Sequence, residues 1–457
     1  MNRNCFKKLI QAVKTGGPVY AAQKVRLYVK RQLKTERKFS WKDYAFEELP
    51  EPKDLNNKYD VSVVVPAYNA GAQFATLLQM LKQQKNCGSV ETVVVDSGST
   101  DGTVELCRQY GVTLVQIPNE QFSHSGARNL GAETAGGEIL VFMTQDALPS
   151  SDEWLSEMIG PILAGEADAV SCGEECPEGT ELYYRILNCG QASFVGNLQE
   201  DVLGSKEKCR DKDSLRRHAS LSDVACAIKR KTFLRFRHRY NFAEDLDLGI
   251  RLLSCRYKTK LLANTKTIHG HNRNADYYLK RAVVEREAFG KIFPEEKETE
   301  KPEVTERRIY CSACLVAEYL KLLQEVECRT EMTTEVFIKL ALDLFEKVIG
   351  RTDAIKEWEG FAKENAPLLT EVVVLCGQNG KKRKHPTETD LAYSVRFYLD
   401  NVAEYMKFHG ITKMEYSMEE ICDCMLKQFA LLVGTELVKL KKEENWNRKI
   451  LELIKGV

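Results

Sequence analysis

The sequence predicts an α/β fold: a mixed, Rossmann-like β-sheet flanked by helices, with helices before it and a separate helical domain after it. Three observations support this fold class. Short β-branched apolar runs alternate with stretches long enough for helices between residues 61 and 146. Polar residues follow these runs. From residue 303 onward the pattern changes to long helical periodicity.

The first four predicted strands are β-branched runs of the kind that is buried on both faces of a parallel sheet. They cover residues 61–69, 92–96, 112–117 and 139–146. The intervening residues 71–85, 102–110 and 125–136 are long enough for helical crossovers. We therefore expect a β-α-β-α-β-α-β order in this part of the chain.

Polar side chains occur where three of these strands end. Tyr68 and Asn69 follow the first strand, Asp96 ends the second, and Asp146 ends the fourth. Because ligands of open α/β sheets bind beyond the carboxyl ends of the strands, these residues predict a binding site at one edge. The Gly-x-Gly-x-x-Gly fingerprint and the Gly-x-x-x-x-Gly-Lys-Ser/Thr loop are both absent. A dinucleotide oxidoreductase is therefore the weakest of the candidate functions.

The middle of the chain contains further strands and one helix with an acidic start. Strands are expected at 167–172, 223–228, 258–263 and 267–271. Residues 173–221 show weak periodicity, which favours a long, mobile insertion on the acceptor side. Residues 241–251 have apolar positions at helical spacing, so Glu244 and Asp245 fall in or just before a first turn.

The C-terminal part reads as an all-helical domain. Helices are expected at 303–327, 333–350, 353–365, 388–409 and 417–454, with a basic turn at 380–386. Dimerisation, docking to a partner or membrane, and acceptor binding remain open as its roles. We divide the chain into a basic N-terminal helical segment with linker (1–58), a catalytic domain (59–297) and a helical accessory domain (303–457).

Composition excludes some classes of function. Lys+Arg and Asp+Glu both number 66 in 457 residues, which gives no reason to expect nucleic-acid binding. The 15 cysteines are scattered and often lie in apolar runs, as expected in a reducing cytoplasm. No run approaches the roughly 20 apolar residues of a membrane span, and no secretory signal is recognisable.

The first 40 residues are strongly basic. They contain eleven Lys or Arg residues against one acidic residue, and their apolar positions have helical spacing. Such a segment suits contact with an anionic membrane surface, and it equally suits a solvated helix packed on the catalytic domain. The first interpretation places the protein in the cytoplasm, as a peripheral protein on the inner face of the plasma membrane.

A resemblance follows from four ordered motifs. They are Pro66-Ala-Tyr-Asn69, Asp96-x-Gly-Ser-Thr-Asp-Gly-Thr103, Gly126-Ala-Arg-Asn-Leu-Gly131 and Thr144-Gln-Asp146. Together they resemble the donor half of inverting family 2 glycosyltransferases, which have the GT-A fold. Residues 122–131 and 142–149 are most similar to the bacterial rhamnosyltransferase branch. The resemblance spans about residues 60–295.

The resemblance implies an enzyme that moves rhamnose or another hexose from a nucleoside-diphosphate sugar to a glycan or polyprenyl-linked acceptor of a surface polysaccharide. It implies Asp245 as the catalytic base, with Glu244 as neighbour or alternate. Contacts to the nucleotide sugar are expected from Pro66, Tyr68, Asn69, Asp96, Arg128, Asn129, Gln145 and Arg251. A surface position for Arg128, and a local ion pair of Arg251 with Asp247, are the plain alternatives.

A divalent cation, Mg²⁺ or Mn²⁺, is the implied cofactor. Asp146 is expected to hold it, because hard cations prefer carboxylate oxygen. His269 or His271 is the expected second ligand. The sequence departs here from the family's Asp-x-Asp, since Thr144-Gln145-Asp146 keeps only the final carboxylate.

Two other functions stay open. A catalytically silent module that uses the fold for binding or assembly is favoured by Thr144 and disfavoured by Asp146 and the Glu244-Asp245 pair. A sugar nucleotidyltransferase needs a Gly-x-Gly-Thr-Arg type of loop after the first strand, which residues 67–71 do not provide. A homodimer through the C-terminal helices is a further possibility.

Overall fold

The computed structural model describes residues 39–52, 55–293, 301–326, 332–349, 366–379 and 388–455. The chain divides into two compact units. The sheet unit comprises Phe39–Thr180 and Asn188–His271, and the helical unit comprises Glu181–Leu187 and the described residues from Asn272 onward. The basic residues 1–38, the predicted helix 353–365 and the basic turn 380–386 lie outside the described residues. The predicted domain boundaries stay predictions.

The sheet unit is built on one mixed sheet, as the sequence predicts. Its strands are β1 (Tyr59–Ala67), β2 (Val90–Asp96), β3 (Thr113–Gln116), β4 (Gly137–Met143), β5 (Leu148–Pro149), β6 (Ala169–Glu175), β7 (Val202–Gly204), β8 (Ala225–Lys229) and β9 (Thr259–Ile268). Their order across the sheet is β3-β2-β1-β4-β8-β6-β9-β5, and β7 pairs with β9. The four strands expected before residue 146 are confirmed as parallel neighbours.

Helices cover both faces of the sheet. Those with residues in this unit are α1 (Gln73–Lys82), α2 (Thr103–Tyr110), α3 (His124–Thr134), α4 (Trp154–Leu163), α5 (Leu182–Val195), α6 (Lys212–Ala219), α7 (Arg230–Phe236) and α8 (Glu244–Ser254). Alternation along β1 separates two cores. Val63 packs with α1 and α4, whereas Val64 packs on the opposite face with α7 and α8.

Local sequence fixes the ends of the helices near the site. Ser123 caps α3, because its Oγ accepts a hydrogen bond from the Gly126 N–H at 3.0 Å. Helix α2 ends at Gly111, whose φ of 68° lies in the left-handed region that glycine adopts without strain. Helix α8 starts with Glu244 and Asp245, as predicted, where carboxylates are favoured by the helix dipole.

Strand directions bring many polar residues to one edge of the sheet. Strands β1, β2 and β4 are parallel and end there. Strand β8 is antiparallel to β4, with Ala225 opposite Met143, so β8 begins at the edge where β4 ends. Strand β6 is antiparallel to β8 and therefore runs in the same direction as β4. Strand β9 is parallel to β6, so β6 and β9 both end at the edge where β4 ends. We call this the carboxyl edge.

The structure corrects several expectations from the sequence. Residues 173–221 are not a long irregular insertion, since they include the end of β6, helix α5, strand β7 and helix α6. The two closing strands expected at 258–263 and 267–271 are one strand, β9, whose pairing with β6 shifts register between Cys172 and Gly173. Strands β5 and β7 are too short to give a sequence signal.

The helical unit contains the helices α9 (Ala275–Ile292), α10 (Pro302–Gln324), α11 (Thr334–Ile349), α12 (Pro367–Asn379), α13 (Glu388–Phe408), α14 (Met418–Leu437) and α15 (Glu444–Leu453). Helix α12 was not expected, and the helix expected at 417–454 is split into α14 and α15. The carboxylate of Asp276 accepts hydrogen bonds from the N–H groups of Leu368 and Leu369, both at 3.0 Å, and thereby caps α12.

Among the helices that the structure describes, none combines the length and the apolar character that crossing a membrane requires.

We predict that Gly249→Ala destabilises the sheet unit. A Cβ at this position in α8 would collide with the backbone carbonyl of Ala219 at the end of α6, so one helix must move. We expect a loss of about 1–3 kcal/mol in the free energy of unfolding, measured by urea denaturation. Gly290→Ala is the control, because a Cβ added there would meet no other atom within 4 Å. An equal effect at both positions would contradict the packing argument.

Candidate functional site

The loops after β1, β2 and β4 are joined by side chain to backbone hydrogen bonds at the carboxyl edge. Gln145 accepts a hydrogen bond from the Tyr68 N–H at 2.7 Å and donates one to the Tyr68 carbonyl at 3.1 Å. Asn69 accepts from the Thr100 N–H at 2.8 Å, while its own N–H donates to the Ser99 hydroxyl at 2.8 Å. These contacts hold the exposed Tyr68 ring, 47% accessible, on a fixed backbone.

Asp96 ends β2 and is fully buried. Its Oδ2 accepts hydrogen bonds from the N–H groups of Gly98 and Ser99 at 3.1 and 3.2 Å. Its Oδ1 is buried without a hydrogen-bond partner among the described residues. A buried acceptor without a donor is costly, so this oxygen is suited to accept a hydrogen bond from a ligand.

Three predicted metal ligands meet at the same edge. Asp146 follows β4, and His269 and His271 follow β9. Nε2 of His269 lies 3.6 Å from Oδ1 of Asp146, and Nε2 of His271 lies 3.9 Å from Oδ2. One ligand atom from each residue lies within 4.8 Å of the others. A carboxylate and two imidazoles form a donor set that fits a divalent cation such as Mn²⁺.

A further carboxylate orients one of these imidazoles. Oε2 of Glu174 lies 2.8 Å from Nδ1 of His269, which leaves Nε2 directed at Asp146. A carboxylate in this position is typical of histidines that bind metals. Burial opposes the charge on His269, but its hydrogen bonds to Asp146 and Glu174 raise its pKa to about 9. Burial also opposes ionisation of Asp146, yet the two histidines hold its pKa well below the usual range.

A second acidic cluster lies where β8 begins and α8 begins. It consists of Asp223, Glu244 and Asp245 around the guanidinium of Arg128. Arg128 Nε lies 3.2 Å from Asp223 Oδ2, and Arg128 Nη1 lies 3.1 Å from Glu244 Oε1. Asp245 Oδ2 accepts a weak hydrogen bond from the Asp223 N–H at 3.4 Å. We call these three acids the carboxylate cluster.

Burial and mutual repulsion shift the acids of this cluster in one direction. Loss of water and the charges of Asp245 and Asp223 raise the pKa of Glu244 to about 8. Loss of water and the charge of Asp223 raise the pKa of Asp245 to about 7. Burial also raises the pKa of Asp223, although Arg128 opposes this. At neutral pH the carboxylate cluster therefore contains groups that can take up and release a proton.

Three residues that were expected to contact the nucleotide sugar have side chains that make contacts inside the protein instead. Arg128 is only 4% exposed and serves the carboxylate cluster. Asn129 holds the backbone of His238 through both ends of its amide, at 3.0 Å each. Arg251 donates to Asp247 at 2.8 Å and to the carbonyls of Phe236 and Arg237 at 2.6 Å, which matches the local ion pair left open above. We leave these three residues out of the proposed donor site.

Sequence reasoning did not identify Asp223, His238 or Glu174. Asp223 is the first residue of the strand predicted at 223–228, and the start of a strand lies at the carboxyl edge only if that strand is antiparallel. His238 lies in the segment between α7 and α8, for which no function was predicted. Glu174 lies within β6, which extends three residues beyond the strand end predicted at residue 172.

The mixed sheet with helices on both faces has the architecture of the GT-A fold. Residues 62–221 match the sequence profile of the family described as "Glycosyl transferase family 2". The chain therefore contains a family 2 glycosyltransferase domain, as the motifs predicted. The carboxylate cluster and the two histidines lie beyond the matched residues.

Relatives agree with this class. The chain is 26% identical over 226 residues to the O-antigen chain rhamnosyltransferase RfbN of Salmonella typhimurium, which covers 46% of this chain and 67% of the relative. It is 26% identical over 219 residues to the O-antigen chain rhamnosyltransferase WbaN of Salmonella anatum, covering 46% and 66%. The chain thus spans about two thirds of the length of these relatives.

A solved structure with a similar chain is the mannosyltransferase PcManGT from Pyrobaculum calidifontis in complex with GDP-Man and Mn²⁺. The identity is 16%, the TM-score is 0.45, and the match covers 92% of this chain and 95% of that one.

We predict that Glu174→Ala lowers the affinity for Mn²⁺ by about 10–100-fold, because His269 loses the carboxylate that orients it. Titration calorimetry with Mn²⁺ measures this without a substrate. Asp146→Ala should abolish specific binding. Glu175→Ala is the matched control, since Glu175 is the exposed neighbour on the same strand. Unchanged affinity in Glu174→Ala, or equal losses in both glutamate variants, would contradict the role of Glu174.

Proposed function

We propose that this chain is an inverting glycosyltransferase that moves a sugar from a nucleoside-diphosphate sugar to an acceptor hydroxyl. The observation that carries the proposal is the pairing of two acidic sites at the carboxyl edge. One joins Asp146 to two histidines, and the other contains Asp245, whose pKa is raised to about 7. The family 2 match of residues 62–221 supports the same reaction class.

The donor nucleoside is proposed to bind over the loops after β1 and β2. The exposed ring of Tyr68 offers a stacking surface, and Pro66 walls the adjoining end of β1. Asp96 offers its second oxygen to a base N–H or a ribose hydroxyl. Asn69 and Gln145 fix the backbone of these loops through the hydrogen bonds described above. Their role in donor binding is therefore to position other groups.

Asp146, His269 and His271 are proposed to hold a divalent cation, Mn²⁺ or Mg²⁺. When bound, the cation supplies positive charge for the oxygens of the departing diphosphate. The protein's own contribution is to keep Asp146 ionised and His269 oriented. The imidazoles lower the pKa of Asp146, and Glu174 contacts Nδ1 of His269 so that Nε2 is directed at Asp146.

Asp245 is proposed to be the general base, with Glu244 as its neighbour. In a single displacement, the acceptor oxygen forms a bond to the anomeric carbon while the bond to the diphosphate oxygen breaks, which inverts the configuration. The acceptor hydroxyl gives its proton to a carboxylate of the enzyme. A base works best with a pKa near the operating pH, and the raised pKa of Asp245 meets that condition.

The finer identity of the substrates is also part of this proposal. We propose rhamnose or another hexose as the sugar and a glycan or polyprenyl-linked acceptor in surface polysaccharide synthesis. The similarity to two proteins named O-antigen chain rhamnosyltransferases supports this choice. A cytoplasmic site of action fits the same role. Membrane contact through the basic segment 1–38, and a homodimer through the C-terminal helices, stay predictions.

We predict release of free nucleoside diphosphate from at least one nucleotide sugar of a panel that includes dTDP-rhamnose, GDP-mannose, UDP-glucose and UDP-GlcNAc, with Mn²⁺ present. Asp245→Asn should lower turnover by about 10²–10⁴-fold, because the base is lost. Asp146→Ala should lower turnover and remove the dependence on Mn²⁺. Glu105→Gln is the control, since Glu105 is an exposed acid on α2.

Two results would count against the proposal. If no nucleotide sugar is consumed but one of them binds with measurable affinity, the silent binding module is the better interpretation. If diphosphate release survives in both Asp245→Asn and Asp146→Ala, the assigned residues do not carry the reaction.

A further inference from the structure

The carboxylate cluster has more acids than its one guanidinium can neutralise. Arg128 contacts Asp223 and Glu244, at 3.2 and 3.1 Å, and Asp245 adjoins both acids. Neighbouring carboxylates in a site that excludes water cannot all be ionised near neutral pH. They titrate as a group, so the question is which acid holds the proton.

Hydrogen bonds favour the ionised form of two of the acids. Glu244 Oε1 accepts a charge-assisted bond from Arg128. Asp245 accepts from two backbone N–H groups, that of Leu246 at 2.7 Å and that of Asp223 at 3.4 Å. Backbone donors lower the cost of a carboxylate charge and offer nothing to a carboxylic acid proton. These hydrogen bonds oppose the burial that raises the pKa of Glu244 and Asp245, and they favour Asp223 as the carrier of the proton.

Asp223 has a different partner. Its Oδ2 lies 3.2 Å from Nε2 of His238, a ring whose side chain is fully buried. The other ring nitrogen, Nδ1, lies 3.3 Å from the carbonyl oxygen of Glu244. A carbonyl can only accept, so Nδ1 carries the hydrogen of the neutral ring. Nε2 is then an acceptor without a donor among the described residues, and both carboxylate oxygens of Asp223 are also buried without one. A hydrogen on Oδ2 of Asp223 would satisfy both Nε2 and that oxygen.

The surroundings oppose the alternative, a charged imidazolium. Burial, and next the charge of Arg128, lower the pKa of His238 to about 3. Arg251 lowers it further, whereas Asp247 acts in the opposite direction. On the other side, burial raises the pKa of Asp223, with Arg128 as the opposing charge. Burial also raises the pKa of the nearby Cys226 thiol, which stays neutral.

The fold fixes His238 in this place. Asn129 holds the backbone of His238 by donating to its carbonyl and accepting from its N–H, both at 3.0 Å. The ring packs against both Phe142 and Phe233, with centroids 5.5 and 5.1 Å away. The adjacent residues Arg128 and Asn129 of α3 therefore align the two partners, one on the carboxylate and one on the histidine.

We propose that Asp223 is a positioning residue that holds a proton as a neutral carboxylic acid, donates it to Nε2 of His238, and thereby keeps Asp245 ionised. The proton location stands on the geometry of the carboxylate cluster alone. The consequence for catalysis rests on the proposed function, in which Asp245 is the base. The proposal also gives the two adjacent acids different roles. Glu244 is paired with Arg128, whereas Asp245 is the carboxylate without a paired cation.

The first test is independent of activity. Histidine-selective ¹⁵N NMR of the full chain, free of metal and substrate, identifies His238 among seven histidines by the signal lost in His238→Phe. We expect a proton on Nδ1 and a proton-free, hydrogen-bonded Nε2 between pH 6 and 8. A proton on Nε2, with or without one on Nδ1, would overturn the proposal.

The second test uses suppression. We measure kcat/KM against pH, with the nucleotide sugar of the panel that releases the most diphosphate. The measured quantity is the pH at which kcat/KM falls by half on the acid side, which we call the acid limb. His238→Phe keeps the ring packing but removes the acceptor, so the proton moves onto Asp245 or Glu244. We expect the acid limb to rise by about one pH unit, so that kcat/KM at pH values below the limbs of both proteins is about tenfold lower. Adding Asp223→Asn removes the acid and should return the limb to its wild-type position.

A purely structural role for His238 predicts a different result, because a second substitution in the same cluster would not restore the pH profile. A limb that does not return in the double variant therefore overturns the proposal. If His238→Phe does not fold, Asp223→Asn alone decides. Asparagine is as uncharged as the acid, so the limb should stay in place, and a downward shift of about one unit would overturn the proposal.

His218→Phe is the matched control. His218 lies in the same unit, and burial, Lys208 and Arg217 lower its pKa, so its surroundings are basic. The acid limb of the His218→Phe variant should lie at the same pH as that of the wild type. If no nucleotide sugar of the panel is consumed, the proposed function fails while the NMR result still decides where the proton lies.

Discussion

The direction of the strands is the constraint on which the rest of the site depends. Acids and histidines that lie far apart in the chain come together because β1, β2, β4, β6 and β9 end at one edge of the sheet. The antiparallel strand β8 adds its first residues to that edge. A site assembled in this way needs no single long motif. It needs one polar residue just outside each of several buried strands.

The buried guanidinium of Arg128 is tolerated at this edge because it has carboxylate partners on two other elements. Arg128 from α3 lies between Asp223, before β8, and Glu244, at the start of α8. A buried ion pair contributes little net stability, yet loss of one partner leaves an uncompensated charge at a cost of about 3–5 kcal/mol. The same contacts therefore tie α3 and α8 to the start of β8 and fix the position of Asp245, the proposed base. Stability and chemistry are coupled in the carboxylate cluster.

The sequence was sufficient for the parts of the fold with strong local signals. The β-branched runs of β1 to β4 and the acidic start of α8 could be predicted because burial and helix polarity act within a few residues. It was not sufficient where the answer depends on a distant partner. Asp223 lies at the site only because β8 is antiparallel. Arg251 faces inward because its guanidinium donates hydrogen bonds to the carbonyl oxygens of Phe236 and Arg237. Neither the direction of β8 nor the contacts of Arg251 can be predicted from the residues next to them in the sequence.

The two acidic sites show that neighbours decide what an aspartate does. Asp146 and Asp245 both lie at the carboxyl edge of the sheet, and burial disfavours the charge of both. Asp146 faces two imidazoles, which hold its pKa low and leave it ionised as a ligand. Burial, and next the charge of Asp223, raise the pKa of Asp245 to about 7, which suits it to proton transfer.

Environments that push the pKa values of like residues apart are how one fold separates an electrostatic role from a base role. In this chain the separation does not require the first acid of an Asp-x-Asp motif. Thr144 takes that position, and the other two donors proposed for the cation come from the end of β9. Histidines in place of a carboxylate give the proposed cation site less negative charge.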